Sequence, residues 1–331
     1  MASQKTKVIA DVVQALQAGL LVGLPTETVY GLAADATAEA AVLKVFAAKG
    51  RPADHPLIVH VGSVSMLQTV VAEIPPLAQC LIDHFWPGPL TLVLPKHPTL
   101  SPLITGHQAY VAVRMPRHPL FQAVLSQLGK PLVAPSANRF ESISPTDSDA
   151  VLLELGDQLA WVLEGGRCEI GLESTIVQID PVNSHQWRIL RPGSITATQI
   201  SNAVPPVYQQ AVDTQDTRNL KNTVKVSGNK IKHYAPQTPA FYLTREALLG
   251  KTSGICLGLG SAPHPLNHLN NFNHVRWVAM PEDPVCYARD FYAALRAADQ
   301  QHPETIWIES PPRTEPWEAI WDRLRRAAQA V

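Results

Sequence analysis

Apolar and polar positions alternate along the chain with two periods, one helical and one of strands. Val8, Ile9, Val12, Val13 and Leu16 recur at helical spacing, interrupted by Asp11, Gln14 and Gln17, and predict a helix ending at Gly19. Leu20-Leu21-Val22, the polar turn Pro25-Thr26-Glu27-Thr28 and a second helix with Val42, Val45 and Phe46 on one face follow. Apolar runs predict strands over 56–61, 90–94, 110–114 and 131–134, with helical stretches around 65–84 and 118–128. Ser144-Pro145-Thr146-Asp147 reads as N-cap, N1 proline and N3 acid of a helix reaching Leu155. Short strands over 159–163, 175–179 and 187–190 close this part. Strands outnumber helices and vary in length, which predicts an α/β domain on a twisted, mixed, open sheet over residues 1–204.

From about 204 the pattern dissolves: Pro205-Pro206 leads into a polar stretch rich in Gln, Asp, Thr, Asn and Lys, read as a linker and lid over 205–238. Beyond it, Ala240-Phe241-Tyr242-Leu243, Gly254-Ile255-Cys256-Leu257, a helical 285–298 and Thr305-Ile306-Trp307-Ile308 predict a small βαβ, Rossmann-like domain over 239–331.

Composition narrows the class. With 27 Lys+Arg against 28 Asp+Glu, the formal charge of −1 gives no global drive toward nucleic acid or a membrane surface. Neither a long apolar span nor a signal-peptide core appears, so a cytoplasmic protein is expected. Cys80, Cys168, Cys256 and Cys286 stand far apart, suggesting neither zinc site nor disulfide framework. His55 and His60, five apart on an expected strand, would face opposite sides and offer no metal site. Gly250-Lys251-Thr252 imitates a phosphate loop, but Arg245 stands where its first glycine is needed; Gly258-x-Gly260 meets Pro263 where its third glycine belongs. No Gly-x-Ser-x-Gly elbow supports a hydrolase.

Polar residues that interrupt apolar runs at strand ends carry more weight, because α/β folds build sites there. Four places qualify: 25–31, Lys49-Gly50-Arg51-Pro52, Arg114-Met115-Pro116-Arg117, and Pro135-Ser136-Ala137-Asn138 with 142–146. Taken singly each has a plain structural reading. Lys49 and Arg51 suit a solvated helix end with Gly50 as left-handed cap, and Ser136 and Asn138 suit a turn.

Together, and in this order, the motifs resemble the YrdC/Sua5 family of threonylcarbamoyl-adenylate synthases, in its longer two-domain Sua5 form. The resemblance rests on 24–32 (Leu-Pro-Thr-Glu-Thr-Val-Tyr-Gly-Leu), Ala48-Lys49-Gly50-Arg51-Pro52, 55–60, Trp86-Pro87-Gly88-Pro89-Leu90-Thr91, Val113-Arg114-Met115-Pro116, Gly171-Leu172-Glu173-Ser174-Thr175, Leu190-Arg191-Pro192-Gly193 and Lys232-His233-Tyr234-Ala235-Pro236. It implies a YrdC-like sheet with a concave site and a Sua5 C-terminal domain. The implied reaction converts L-threonine, bicarbonate or CO2, and ATP into threonylcarbamoyl-AMP and pyrophosphate. A downstream transferase would place the group on the adenosine beside the anticodon of certain tRNAs.

The same resemblance assigns Lys49, Arg51, Ser136 and Asn138 to catalysis. ATP would be held by these four with His55, Ser144, Arg191 and His233, and threonine by Thr28, His60, Arg114 and Ser174. Mg2+ would arrive on the ATP phosphates without a protein cage. Negative charge gathers on the phosphates during the transfer, which is why cations are required beside them. Two stretches depart from the family pattern: Phe140-Glu141-Ser142-Ile143 replaces Ser-Gly-Arg-Pro, and 226–231 replaces Ser-Pro-Gly-Met-Lys-Tyr. A double-stranded RNA-binding module is the competing reading, with weak RNA contact its minimal form. A carbamoyl-phosphate-using relative would carry zinc-finger cysteines that this chain lacks.

Overall fold

The structure is a computed structural model and describes residues 4–180, 183–208, 224–226, 228, 233–262 and 275–331. The rest of the linker, including most of 226–231 and Lys232, lies outside the described residues. The chain divides into two compact units: Met1–Phe140, Pro145–Cys168 and Glu173–Asn229 form the first, and Glu141–Ser144, Glu169–Leu172 and Lys230–Val331 the second.

In the first unit, strands β1 (Gln4–Thr6), β2 (Val22–Leu24), β3 (Gly31–Asp35), β4 (Ile58–His60), β5 (Leu90–Pro95), β6 (Tyr110–Arg114), β7 (Leu132–Val133), β8 (Trp161–Leu163), β9 (Thr175–Ile179) and β10 (Trp187–Arg191) share one mixed sheet. Their order is β1-β8-β2-β3-β7-β4-β6-β5-β9-β10. Helices α1 (Ile9–Gln17), α2 (Glu39–Lys49), α3 (Val64–Leu67), α4 (Pro76–Phe85), α5 (Pro102–Thr105), α6 (Pro119–Leu128), α7 (Ser148–Leu155) and α8 (Ala197–Ala203) complete it.

Two cores explain why several strands read as unbroken apolar runs: both faces are covered. Val59, Leu92, Leu94, Val113, Val133 and Val177 enter the main core with Val42, Val45 and Phe46 of α2 and Leu77 and Leu81 of α4. On the opposite face, α1 and α6 bury Val22, Leu24, Ala33 and Leu132. Farther along that face Ile58, Val93, Ala112 and Ile176 pack instead against Val224 and Val226, so this part of the linker lies on the sheet as a strap. Gln108 fixes it: its Oε1 accepts the Lys225 N–H at 2.7 Å and its Nε2 donates to the Lys225 carbonyl at 3.1 Å.

Two local expectations are corrected. Asp147, not Ser144, caps α7, its side chain accepting the Ala150 N–H at 2.8 Å, while Ser144 is fully buried three residues upstream. His55 lies in the bend before β4, so a strand-face argument does not apply to it.

The second unit holds β11 (Ala240–Leu243), β12 (Gly254–Leu259), β13 (Val275–Met280), β14 (Ile306–Glu309) and β15 (Gln329–Ala330), in the order β13-β12-β14-β11-β15. Every pairing in that sheet is parallel. Helices α9 (Arg245–Leu249), α10 (Pro284–Asp299) and α11 (Glu318–Ala327) belong to it. Among the described residues no helix is long and apolar enough to cross a membrane.

Candidate active site

The turn after β2 organises itself around Thr26, whose Oγ1 accepts the N–H groups of Thr28 and Val29 at 3.0 and 3.2 Å and donates to the Val29 carbonyl. This closed hydroxyl turn points Thr28 toward Arg114 at the end of β6, whose Nη1 donates to Thr28 Oγ1 at 2.8 Å. Arg114 Nε donates to the Gly88 carbonyl at 3.1 Å, and its Nη2 stands 2.6 Å from Glu27 Oε1 in an ion pair buried on both sides. Glu27 also accepts the Arg117 N–H at 3.1 Å. Burial pushes the Glu27 carboxyl up, but the Arg114 charge and these hydrogen bonds outweigh it and hold it below the ordinary range.

Beside Arg114, in register on β4, His60 is buried and tilts against Phe121 with ring centroids 5.3 Å apart. Burial and then the Arg114 charge lower its pKa to about 3, so the imidazole is neutral at physiological pH. On the other side, Thr91 and Ser174 share a hydroxyl–hydroxyl hydrogen bond of 2.7 Å. Arg191 donates through Nη2 to both the carbonyl and the hydroxyl of Ser174, at 3.0 and 3.2 Å. Thr28, Arg114, His60, Ser174 and Arg191 are therefore brought into one buried polar cluster.

A second cluster forms where α2 ends. Gly50 takes the left-handed conformation, φ 64°, and turns the chain so that Lys49 is drawn inward. Its ammonium donates to the carbonyl of Ser136 and, at 2.6 Å, to that of Asn138. The 136–138 turn is tied to the first cluster's loop, because the Ala137 N–H donates to the Tyr30 carbonyl at 2.9 Å and Gly31 bridges Ser136. Burial, then the Arg51 charge, pull the Lys49 pKa well below the usual lysine range. Arg51 Nη2 donates to the Pro56 carbonyl at 2.9 Å, and its guanidinium lies 5.9 Å from the Phe140 ring centroid, with His55 edge-on to the same ring at 5.5 Å.

Sequence reasoning singled out neither Glu27 nor Phe140 as a site residue. Glu27 is legible only as a turn acid, and Phe140 only as part of the 140–143 stretch that departs from the family pattern. Ser144 and His233 fall in the second unit. There the His233 N–H donates to the Arg326 carbonyl at 3.1 Å, its ring lies 4.0 Å from that of Tyr234, and Tyr234 sits 5.5 Å from the Arg323 guanidinium. Among the described residues no three His, Cys, Asp or Glu side chains gather as a metal site.

Two family models match the chain in succession. The Sua5/YciO/YrdC model, described as telomere recombination, covers residues 14–193, and the threonylcarbamoyl-AMP synthase C-terminal domain model covers 195–329. The threonylcarbamoyl-AMP synthase of Bacillus subtilis is 35% identical over 97% of this chain and 92% of its own length. That of Pyrococcus abyssi is 34% identical over 95% and 92%. The crystal structure of P. abyssi Sua5 complexed with L-threonine superposes with a TM-score of 0.81 at 32% identity, covering 97% of this chain and 95% of that one.

Proposed function

This chain belongs to the Sua5/YrdC family, and from that premise we propose that it is a threonylcarbamoyl-AMP synthase, joining L-threonine, bicarbonate or CO2, and ATP with release of pyrophosphate. The observation that carries the reading is the Lys49 ammonium seated on the carbonyls of both Ser136 and Asn138: the Lys-x-Arg corner and the Ser-x-Asn turn form one site.

The two clusters divide the chemistry. Arg114 keeps guanidinium N–H groups beyond those given to Gly88 and Thr28, and clamps the threonine carboxylate. His60, Thr28 and Ser174 line the amino acid. The threonine amine, having lost its ammonium proton, attacks carbon dioxide; a further proton leaves as the carbamate forms. A carbamate oxygen then attacks the α-phosphorus, and the bond to pyrophosphate breaks. Two of three Lys49 N–H groups hold the 136–138 turn and the third meets a phosphate oxygen; Arg51, Asn138 and Ser136 take the rest of the triphosphate. Arg191, braced on Ser174, and His55 serve as further nucleotide contacts. Mg2+ carried on the ATP phosphates would offset part of their charge there, with Lys49 and Arg51 supplying the protein's own positive charge. The Val224–Val226 strap serves as part of a lid that keeps the carbamate from water.

The product feeds a transferase that modifies the tRNA adenosine next to the anticodon. A bare RNA-binding module is the weaker reading, because the polar cluster is buried and the net charge is −1. The test is pyrophosphate release by the purified chain with ATP, Mg2+ and bicarbonate. Release that depends on threonine is expected, whereas threonine-independent release, or RNA binding without turnover, overturns the proposal.

A further inference from the structure

A transverse row crosses the strap-facing side of the sheet. Pairing register sets Ile58 beside Ala112, Ala112 beside Val93, Val93 beside Gln178, and Gln178 beside Arg188. The first three are apolar and the last two are not, yet Gln178 is 0% and Arg188 only 6% exposed. Alternation along β9 fixes their direction: Val177 and Ile179 enter the main core, while Ile176, on the same side as Gln178, packs under the strap.

The pair is electrostatically unfinished. Arg188 Nε and Nη2 both donate to Gln178 Oε1, at 3.0 and 2.6 Å. That double bond to one oxygen fixes the amide orientation and leaves Gln178 Nε2 buried without an acceptor. Among the described residues no carboxylate stands in ion-pairing range of Arg188. A guanidinium cannot escape this cost by losing its proton, so a buried charge persists opposite a neutral amide. The free Gln178 Nε2 donor and the uncompensated Arg188 charge would both be answered by one negatively charged acceptor.

We propose that Arg188 and Gln178 form a second oxyanion site, separate from the Lys49–Arg51 corner, which takes a phosphate group. The threonine carboxylate is not its ligand: Gln178 lies four residues along β9 from Ser174, about 13 Å at roughly 3.3 Å per residue. Arg114 already serves that end. The choice of phosphate rests on the proposed function, which brings a nucleotide and pyrophosphate to this face; the donor pair itself does not.

Calorimetric titration of the full chain with inorganic phosphate and with pyrophosphate tests this without turnover, so its failure is distinct from failure of the synthase reading. Replacing both partners by apolar residues of similar size, Arg188→Met with Gln178→Leu, removes the donors together and leaves no orphan. Circular dichroism checks the fold. The wild type is expected to bind one more phosphate per chain than the double variant, or to bind at least tenfold tighter. Arg188→Lys, which keeps the charge and loses the planar fork, is expected to fall between and carries the test if the double variant does not fold. Repeating the titration with saturating nonhydrolysable ATP analogue separates the sources: binding that persists marks free phosphate or pyrophosphate, and binding that vanishes marks the nucleotide's own phosphate. Equal stoichiometry and affinity in wild type and variants overturns the proposal and leaves a structural cross-strand pair.

Discussion

Arg114 and Lys49 are both buried cations, but their surroundings differ in kind. Arg114 faces a buried carboxylate at 2.6 Å, while Lys49 gives its hydrogen bonds to neutral backbone carbonyls. The first arrangement neutralises and orients a guanidinium so that its remaining N–H groups are aimed before any ligand arrives. The second holds an ammonium whose charge is disfavoured in the empty site, its pKa drawn well down by burial and Arg51, so an arriving anion gains the most there. The two cations are thus assigned to separate ends of one site, Arg114 to the threonine carboxylate and Lys49 to the phosphates.

Removing the carboxylate breaks the comparison most severely. Glu27→Ala leaves Arg114 buried without its counter-charge, and a loss of about 3–5 kcal/mol in unfolding free energy is expected by chemical denaturation. A near-neutral result would mean that the pair is not what holds Arg114. Lys49→Ala removes a charge that has no direct acid partner among the described residues, so its effect should fall on turnover: a loss of about 10²–10³-fold in pyrophosphate release, the range seen when a donor to developing negative charge is deleted. Folding should change far less than in Glu27→Ala.

His60 sharpens the contrast through pH. Its folded pKa of about 3 lies below the ordinary histidine value of 6.5, so the unfolded chain takes up its proton first as pH falls. The stability contributed by neutral His60 is complete above about 6.5 and is lost as pH drops toward 3, at roughly 1.4 kcal/mol per unit. Melting curves of the wild type against His60→Gln across that window should show the slope shrinking in the variant. Phe140→Ala should have the smallest effect: loss of the Arg51 and His55 ring contacts, about 0.5–1 kcal/mol, read as a several-fold rise in KM for ATP.

Much of this was legible where chemistry and periodicity agree. The strands Tyr110–Arg114 and Thr175–Ile179 declare themselves because both faces are buried and β-branched residues fill them. β3, Gly31–Asp35, is not legible because Gly-Leu-Ala-Ala-Asp has little strand propensity of its own and is held by neighbours on both sides. β1, with three residues, and α11, with a net polar composition, were likewise invisible. At the cap of α7, Ser144 and Asp147 both had the right chemistry, and only tertiary packing decides between them. The same limit hid Glu27: its partner Arg114 lies far along the chain, and no local spacing encodes that distance.

The division of labour between the two clusters is tested most directly by steady-state pyrophosphate release, titrating ATP and threonine separately in Lys49→Ala and Arg114→Gln. Lys49→Ala should weaken the response to ATP and leave the threonine KM close to wild type, and Arg114→Gln should do the reverse. If both substitutions raise the KM for the same substrate, or neither raises any, the two ends do not grip different substrates and the account fails.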